Sequence, residues 1–189
     1  MRISDTYLKQ QKSLHENPAY GVASIEKAPL VASIMKQTNS KTISDYGAGK
    51  KALLDSLIKL GITPEKYFPY DPVFSDYGPP TEADLVCCID VLEHIEIECL
   101  DEVLDDILLI TKRFAFFSIS YRLAMKVLED GRNAHLIVAP PSWWLAKIIQ
   151  RFEVHRLQNE GNGFWMVLSK KDREPIFNFK GSREDFTSK

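Results

Sequence analysis

The sequence predicts an α/β fold: a mostly parallel sheet between two layers of helices, closed by an antiparallel C-terminal strand. Three observations predict it. Short apolar segments at residues 42–46, 67–70, 85–89 and 114–119 alternate with helical stripes. The first of them runs straight into Gly47-Ala48-Gly49, a tight turn. Near the end, residues 153–157 and 164–168 flank Asn159-Glu160-Gly161-Asn162-Gly163, a hairpin signal that turns the last strand back.

Each element has its own justification. Residues 1–21 are polar, punctuated by Pro18 and Gly21, and read as an extended or partly helical lead-in. Over residues 22–37, Ile25, Leu30, Val31, Ile34 and Met35 predict an amphipathic helix interrupted near Pro29. Leu53, Leu54, Leu57, Ile58 and Leu60 predict a helix over residues 51–60 that Gly61 ends. The second strand closes at Asp71-Pro72, and residues 73–82 are rich in turn formers. Residues 85–89 form a continuous apolar run between Asp84 and Asp90, as a strand covered on both faces should. Leu100, Val103, Leu104, Ile107 and Leu108 form another helical stripe. An irregular stretch with Gly131, Pro140 and Pro141 follows the fourth strand, and Ser142 is expected to cap a short helix reaching about residue 150.

Composition narrows the class. The 189 residues suit one domain, 44 % hydrophobic and 26 % charged, with a net charge of −2. No long basic run is present, so the charge sum favours a small or modestly charged partner over nucleic acid. Cys87 and Cys88 are adjacent and would face opposite sides of a strand, and no His/Cys cluster at ligand spacing surrounds them. With Cys99 they read as buried thiols in a reducing compartment, and no metal site is expected. The N-terminus lacks the apolar core of a signal peptide, and no apolar stretch reaches spanning length, so a cytoplasmic protein without membrane association is expected. The expected organisation is a lead-in with a helix over residues 1–40, a catalytic domain over 41–171 and a polar, poorly ordered tail over 172–189.

Ligands on such sheets gather at the carboxyl ends of the strands, so the informative residues lie just past each strand. Asp45-Tyr46-Gly47-Ala48-Gly49-Lys50-Lys51 combines a close-approach turn with a carboxylate, which suits a ligand carrying an ammonium better than a pyrophosphate. Asp71 lies 24 residues after Gly47, where an acid can accept from ribose hydroxyls, though a turn aspartate before Pro72 reads equally well in isolation. The third strand ends in Asp90-Val91-Leu92-Glu93-His94.

That third motif, behind the glycine turn and the second-strand acid, resembles class I S-adenosylmethionine-dependent methyltransferases, a family with a Rossmann-like three-layer fold. The likeness spans about residues 40–170 and is greatest to small bacterial and phage members of undefined substrate; the run Asp130-Gly131-Arg132-Asn133-Ala134-His135-Leu136 and the pair Trp143-Trp144 share it. The resemblance implies S-adenosylmethionine as cofactor. Asp45, Tyr46, Gly47, Ala48 and Gly49 would bracket its methionine part, Asp71 and Pro72 its ribose, and Asp90 with Val91 would border it. Two departures stand out. Lys51 replaces a third glycine, and only twelve residues separate Asp71 from Asp84, so the usual helix and third strand there must be shortened or lost. Asp76 or Tyr77 would then supply the adenine contact.

Acceptor-side candidates follow the fourth strand. Arg122, Lys126, Arg132, Asn133 and His135 cluster there; Arg122, Arg132 and Asn133 are candidates for holding substrate. His135 reads as a general base, or, with Asn133, as a pin that bonds the loop to backbone. His94 reads as a pocket-facing catalytic residue or as a packing residue, and Glu93 as structural. Trp143 and Trp144 diverge by about 100° on a helix, so one is expected in the core and the other at the acceptor pocket or an interface. Asn17-Pro18-Ala19-Tyr20 lacks the second proline of the Asn-Pro-Pro-Tyr motif of amino-methylating DNA enzymes. The resemblance instead suggests that Tyr7, Gln11, His15 and Tyr20 belong to a lid. The expected activity is methyl transfer to an O or N atom of a small molecule. A nucleotide or nucleic-acid acceptor and a non-catalytic cofactor-binding module remain the alternatives.

Overall fold

The computed structural model describes residues 3–171. In chain order its elements are α1 (Asp5–His15), α2 (Ser24–Thr38), β1 (Thr42–Tyr46), α3 (Ala52–Lys59), β2 (Lys66–Tyr70), β3 (Ala83–Ile89), α4 (Leu100–Ile110), β4 (Thr111–Ser120), α5 (Pro141–Ile148), β5 (Phe152–Asn159) and β6 (Gly163–Lys170). The strands form one sheet in the order β2-β1-β3-β4-β6-β5. Strands β1 to β4 run parallel, and β6 is antiparallel to β4 on one side and β5 on the other. The Rossmann-like α/β class and its antiparallel C-terminal strand are thus as expected. The tail expected over residues 172–189 lies outside the described residues.

Alternation along β3 divides the interior into two cores. Leu85, Cys87 and Ile89 pack with Val31, Ile34 and Met35 of α2 and with Leu53 and Leu57 of α3. Val86 and Cys88 pack on the other face with Leu100, Val103 and Leu104 of α4 and with Trp144 and Ile148 of α5. Cys87 and Cys88 therefore part as predicted, whereas Cys99, expected to be buried, is only half-buried. Its place in the short 3₁₀ turn Ile97–Cys99, ahead of α4, keeps it near the surface.

The lead-in is partly helical, one of the two forms expected: it contains α1, capped by Ser4, whose Oγ accepts from the Tyr7 amide at 3.2 Å. Three local expectations change. Pro29 does not interrupt α2; the helix runs through it, because Ala28, Val31, Ala32, Ile34 and Met35 are all buried against the sheet. Ser142 is not a cap: α5 starts two residues earlier than a Ser142 cap would place it, with Pro140 at the cap position and Pro141 fixing the first turn. Trp143 does not line the cavity; it is half-buried against the same core as Trp144, the two rings meeting edge to face at 5.1 Å. Between β2 and β3 only the 3₁₀ turn Ser75–Tyr77 remains, so the helix and strand judged too long for that interval are absent. Among the described residues, no helix is long and apolar enough to cross a membrane.

Candidate active site

Strands β1, β2 and β3 end side by side, and each carries a carboxylate at or just past its end: Asp45, Asp71 and Asp90. All three line a cavity of about 430 Å³ at the carboxyl edge of the sheet. Tyr46, Gly47, Gly49, Pro72 and Val91 line it too, while Ala48 lies behind the turn and does not. Gly47 has φ of +82°, and a Cβ there would lie 2.3 Å from Val91 Cγ2. The amides of Gly47 and Ala48 both donate to the Tyr70 carbonyl, at 2.7 and 2.9 Å, which bolts the turn to the end of β2. Lys51, where the resemblance called for a third glycine, adopts the glycine-like conformation at φ of +59°. That costs a non-glycine residue roughly 1–2 kcal/mol. The turn shape therefore survives the substitution.

Asp71 accepts from two amides, Gly49 on Oδ2 at 3.0 Å and Val73 on Oδ1 at 2.9 Å. A carboxylate offers about four lone-pair directions, so each oxygen keeps one for a ligand. Burial lifts Asp71 above the usual carboxylate range, opposed by those two amides and by the nearby His15. Asp45 is nearly inaccessible and accepts from the Tyr67 hydroxyl. Burial pushes its pKa up to about 7, against the Tyr67 hydrogen bond and with added repulsion from Asp71. Asp90 sits at φ of +52° and accepts from the Ser118 hydroxyl. Neither Asp76 nor Tyr77 lines the cavity; Tyr77 stacks on Phe74 and donates to the Gly49 carbonyl at 3.0 Å, buttressing the turn from outside.

The cavity is roofed by α1 and the loop after it. Tyr7, Gln11, His15 and Tyr20 all line it. Tyr20 donates to Gln11 Oε1 at 3.2 Å, and Gln11 Nε2 donates to the Tyr7 hydroxyl. Polar clasps hold this segment down: Ser4 N and Oγ donate to the Glu96 carboxylate at 2.7 Å each, Gln10 donates to Asp130 at 2.8 Å, and Lys50 Nζ donates to the carbonyls of Asn17 and Tyr20. Asn17 is a turn residue whose Oδ1 accepts from the Ala19 amide, so the Asn-Pro-Ala-Tyr run serves the turn. His15 meets Tyr20 and Phe74 edge-on, and its buried Nδ1 has no hydrogen-bond partner. Nothing in the polar sequence of α1 signalled that this histidine would sit beside the second-strand acid.

His94 and His135 complete the wall, their rings edge to face at 4.7 Å. His94 Nδ1 lies 2.8 Å from the Ala134 carbonyl, and His135 Nδ1 lies 2.6 Å from the Arg122 carbonyl. A carbonyl can only accept, so each Nδ1 carries a proton, and in the neutral ring Nε2 keeps its lone pair. Burial, with His135 alongside, lowers His94 to about 3, so it stays neutral near pH 7. Glu93 is fully buried, accepts from the Ser120 amide at 2.7 Å, and holds the loop through its own carbonyl to Ile137. Burial, with Asp90 nearby, raises its pKa well above the ordinary glutamate value.

The other acceptor-side candidates stand away from the cavity. Arg122 donates to the Gly161 carbonyl, at 3.3 Å from Nε and 3.0 Å from Nη2, and Arg132 pairs with Asp130 at 2.7 Å. Asn133 accepts from the amides of Ala124 and His135 and donates to the Ala124 carbonyl, which ties the loop into a short ribbon. Lys126, by contrast, lines the cavity.

No protein-family model and no curated protein matches this chain. Solved structures share its fold. One is 1,6-didemethyltoxoflavin-N1-methyltransferase from Burkholderia thailandensis with bound 1,6-didemethyltoxoflavin and S-adenosylhomocysteine, at 13 % identity and a TM-score of 0.63, covering 91 % of this chain and 92 % of that one. The methyltransferase domain of bacterial CtHen1 superposes with a TM-score of 0.56 at 16 % identity, covering 76 % of this chain and 97 % of that one. Magnesium protoporphyrin IX methyltransferase from Synechocystis, with bound S-adenosylhomocysteine, gives 0.52 at 12 % identity over 79 % and 84 % of the two chains. The fold is that of class I methyltransferases.

Proposed function

We propose that this chain is an S-adenosylmethionine-dependent methyltransferase acting on an O or N atom of a small molecule. One observation carries the reading: three carboxylates from adjacent strand ends, two of them buried, converge with a glycine turn on one cavity. Among the described residues the only lysine or arginine on its wall is Lys126, so they supply little positive charge to balance the carboxylates. A ligand bearing an ammonium, a sulfonium and ribose hydroxyls supplies both the charge and the donors. Asp45 would meet the ammonium, Asp71 the ribose hydroxyls, and Asp90 with Val91 would border the remainder.

Bound there, S-adenosylmethionine supplies a methyl group on positively charged sulfur. The chain's own work is alignment, exclusion of water and placement of one proton. In this reading the roof of α1 excludes water, and His135 Nε2 takes the acceptor's proton while the Arg122 carbonyl steadies the imidazolium through Nδ1. His94 is poorly suited to hold that proton, because burial opposes its charge. We assign α1 and the following loop to a lid within residues 1–40, and residues 41–171, with α2 packed on them, to the catalytic domain. The three free thiols suit a reducing, cytoplasmic setting.

Calorimetric titration with S-adenosylhomocysteine tests the reading. The expected result is one saturable site that Asp71→Ala weakens by about 1–3 kcal/mol, roughly 5- to 150-fold. His135→Ala should keep that affinity and lower methyl transfer. Absence of binding, or an Asp71→Ala variant of unchanged affinity, would count against it.

A further inference from the structure

Resting on the methyltransferase reading, we infer that the acceptor is a small aromatic or heteroaromatic acid: a compact ring bearing one anionic group and one O–H or N–H. The polarity of the cavity is divided. Its acidic residues, Asp45, Asp71 and Asp90, are all at the strand ends, and the roof and far wall contribute none. The single wall cation, Lys126, stands on that acid-free side, and its ammonium has no hydrogen bond or ion pair among the described residues. Its backbone is fixed, since the Lys126 carbonyl accepts from the Ala134 amide at 3.0 Å and Asn133 clamps the neighbouring Ala124. An ammonium without a protein partner, on an exposed residue that lines the cavity, is matched by one negative group on the ligand.

Beside it the surfaces are flat. Tyr7, Tyr20, His94 and His135 all line the cavity. Tyr20 and His94 meet edge-on at 6.3 Å, and His94 and His135 at 4.7 Å. Such ring faces and edges suit a planar guest. The His94 ring, kept neutral by burial and holding its Nδ1 proton on the Ala134 carbonyl, leaves Nε2 able to accept from a ligand O–H or N–H. The cavity, about 430 Å³, is near the lower end for ligand pockets, which favours a compact acceptor.

The test uses the full chain saturated with S-adenosylhomocysteine, titrated calorimetrically with 4-hydroxybenzoate and 2-aminobenzoate and with their neutral carboxamides. Each acid should bind at least about tenfold more tightly than its amide. Lys126→Met should erase that preference and Lys126→Arg should retain it. Acids and amides of equal affinity, a preference that survives in Lys126→Met, or no binding of either acid overturns the inference. If S-adenosylhomocysteine binds and the acids do not, only the acceptor class falls. If S-adenosylhomocysteine itself fails to bind, the methyltransferase reading falls and takes this inference with it.

Discussion

Behind the glycine turn, Asp45 is held with one hydroxyl partner, Tyr67, and a second carboxylate nearby, and burial raises it to about 7. Its folded pKa thus exceeds its unfolded value, so the stability it contributes is complete below about pH 4 and is lost as pH rises through about 7. That loss amounts to roughly 4 kcal/mol at most. A cationic ligand reverses the preference by favouring the ionised carboxylate. S-adenosylmethionine should therefore bind about tenfold more tightly at pH 8 than at pH 6, and Asp45→Asn should flatten the dependence. Calorimetry across that range checks it; wild-type affinity that is flat with pH would refute the assignment of Asp45 to the ammonium. Asp45, Asp71 and Asp90 were legible because strand ends, a glycine turn and acid spacing are all written locally. Tyr67 was not, since its pairing with Asp45 depends on the register between β1 and β2. The same holds for Arg122 and Arg132, whose partners Gly161 and Asp130 drew them away from the cavity.

At the scale of elements, α2 shows a local signal overruled by packing. Pro29 is exposed in the sixth position of a fifteen-residue helix, where it removes a backbone donor. The buried face of Ala28, Val31, Ala32, Ile34 and Met35 offsets that cost. Pro29→Ala should restore the donor and relieve the ring's clash with the preceding turn, stabilising the fold by about 1–2 kcal/mol after the gain in unfolded-chain entropy is set against it. Thermal unfolding should shift upward with S-adenosylhomocysteine affinity unchanged; a lower midpoint would show that the proline ring itself packs usefully. Periodicity found α3 and α4 because their stripes are apolar, with Leu53 and Leu57 in one and Leu100, Val103, Leu104 and Ile107 in the other buried. It missed the full extent of α1 because the buried residues there are Tyr7, Gln10 and Gln11, which carry no apolar stripe.

Across the whole molecule, the floor and roof of the cavity differ in how they are held. Strands β3 and β4 lie in the middle of the sheet, each bonded along both edges. Helix α1 rests on a small core of Tyr7, Leu128 and Ala134 and on the clasps at Glu96, Asp130 and Lys50. Opening the roof breaks few contacts, whereas exposing β3 requires the sheet to come apart, so the two should open with very different free energies. A ligand bound between Asp71 on the floor and His15 and Tyr20 on the roof touches both, and it stabilises the closed form in proportion to its occupancy. At a concentration 100 times its dissociation constant that stabilisation is about 2.7 kcal/mol, roughly a hundredfold in opening. In hydrogen exchange, the amides of α1 should exchange well before those of β3 and β4 in the free protein. Saturating S-adenosylhomocysteine should then slow α1 and residues 16–23 by up to that factor. Ser4→Ala, which removes both the helix cap and one hydrogen bond to Glu96, should speed α1 exchange in the free protein and leave β3 unchanged. Exchange in α1 that ignores the ligand would mean that the helix is a fixed wall, and that ligand enters by some route other than lifting it.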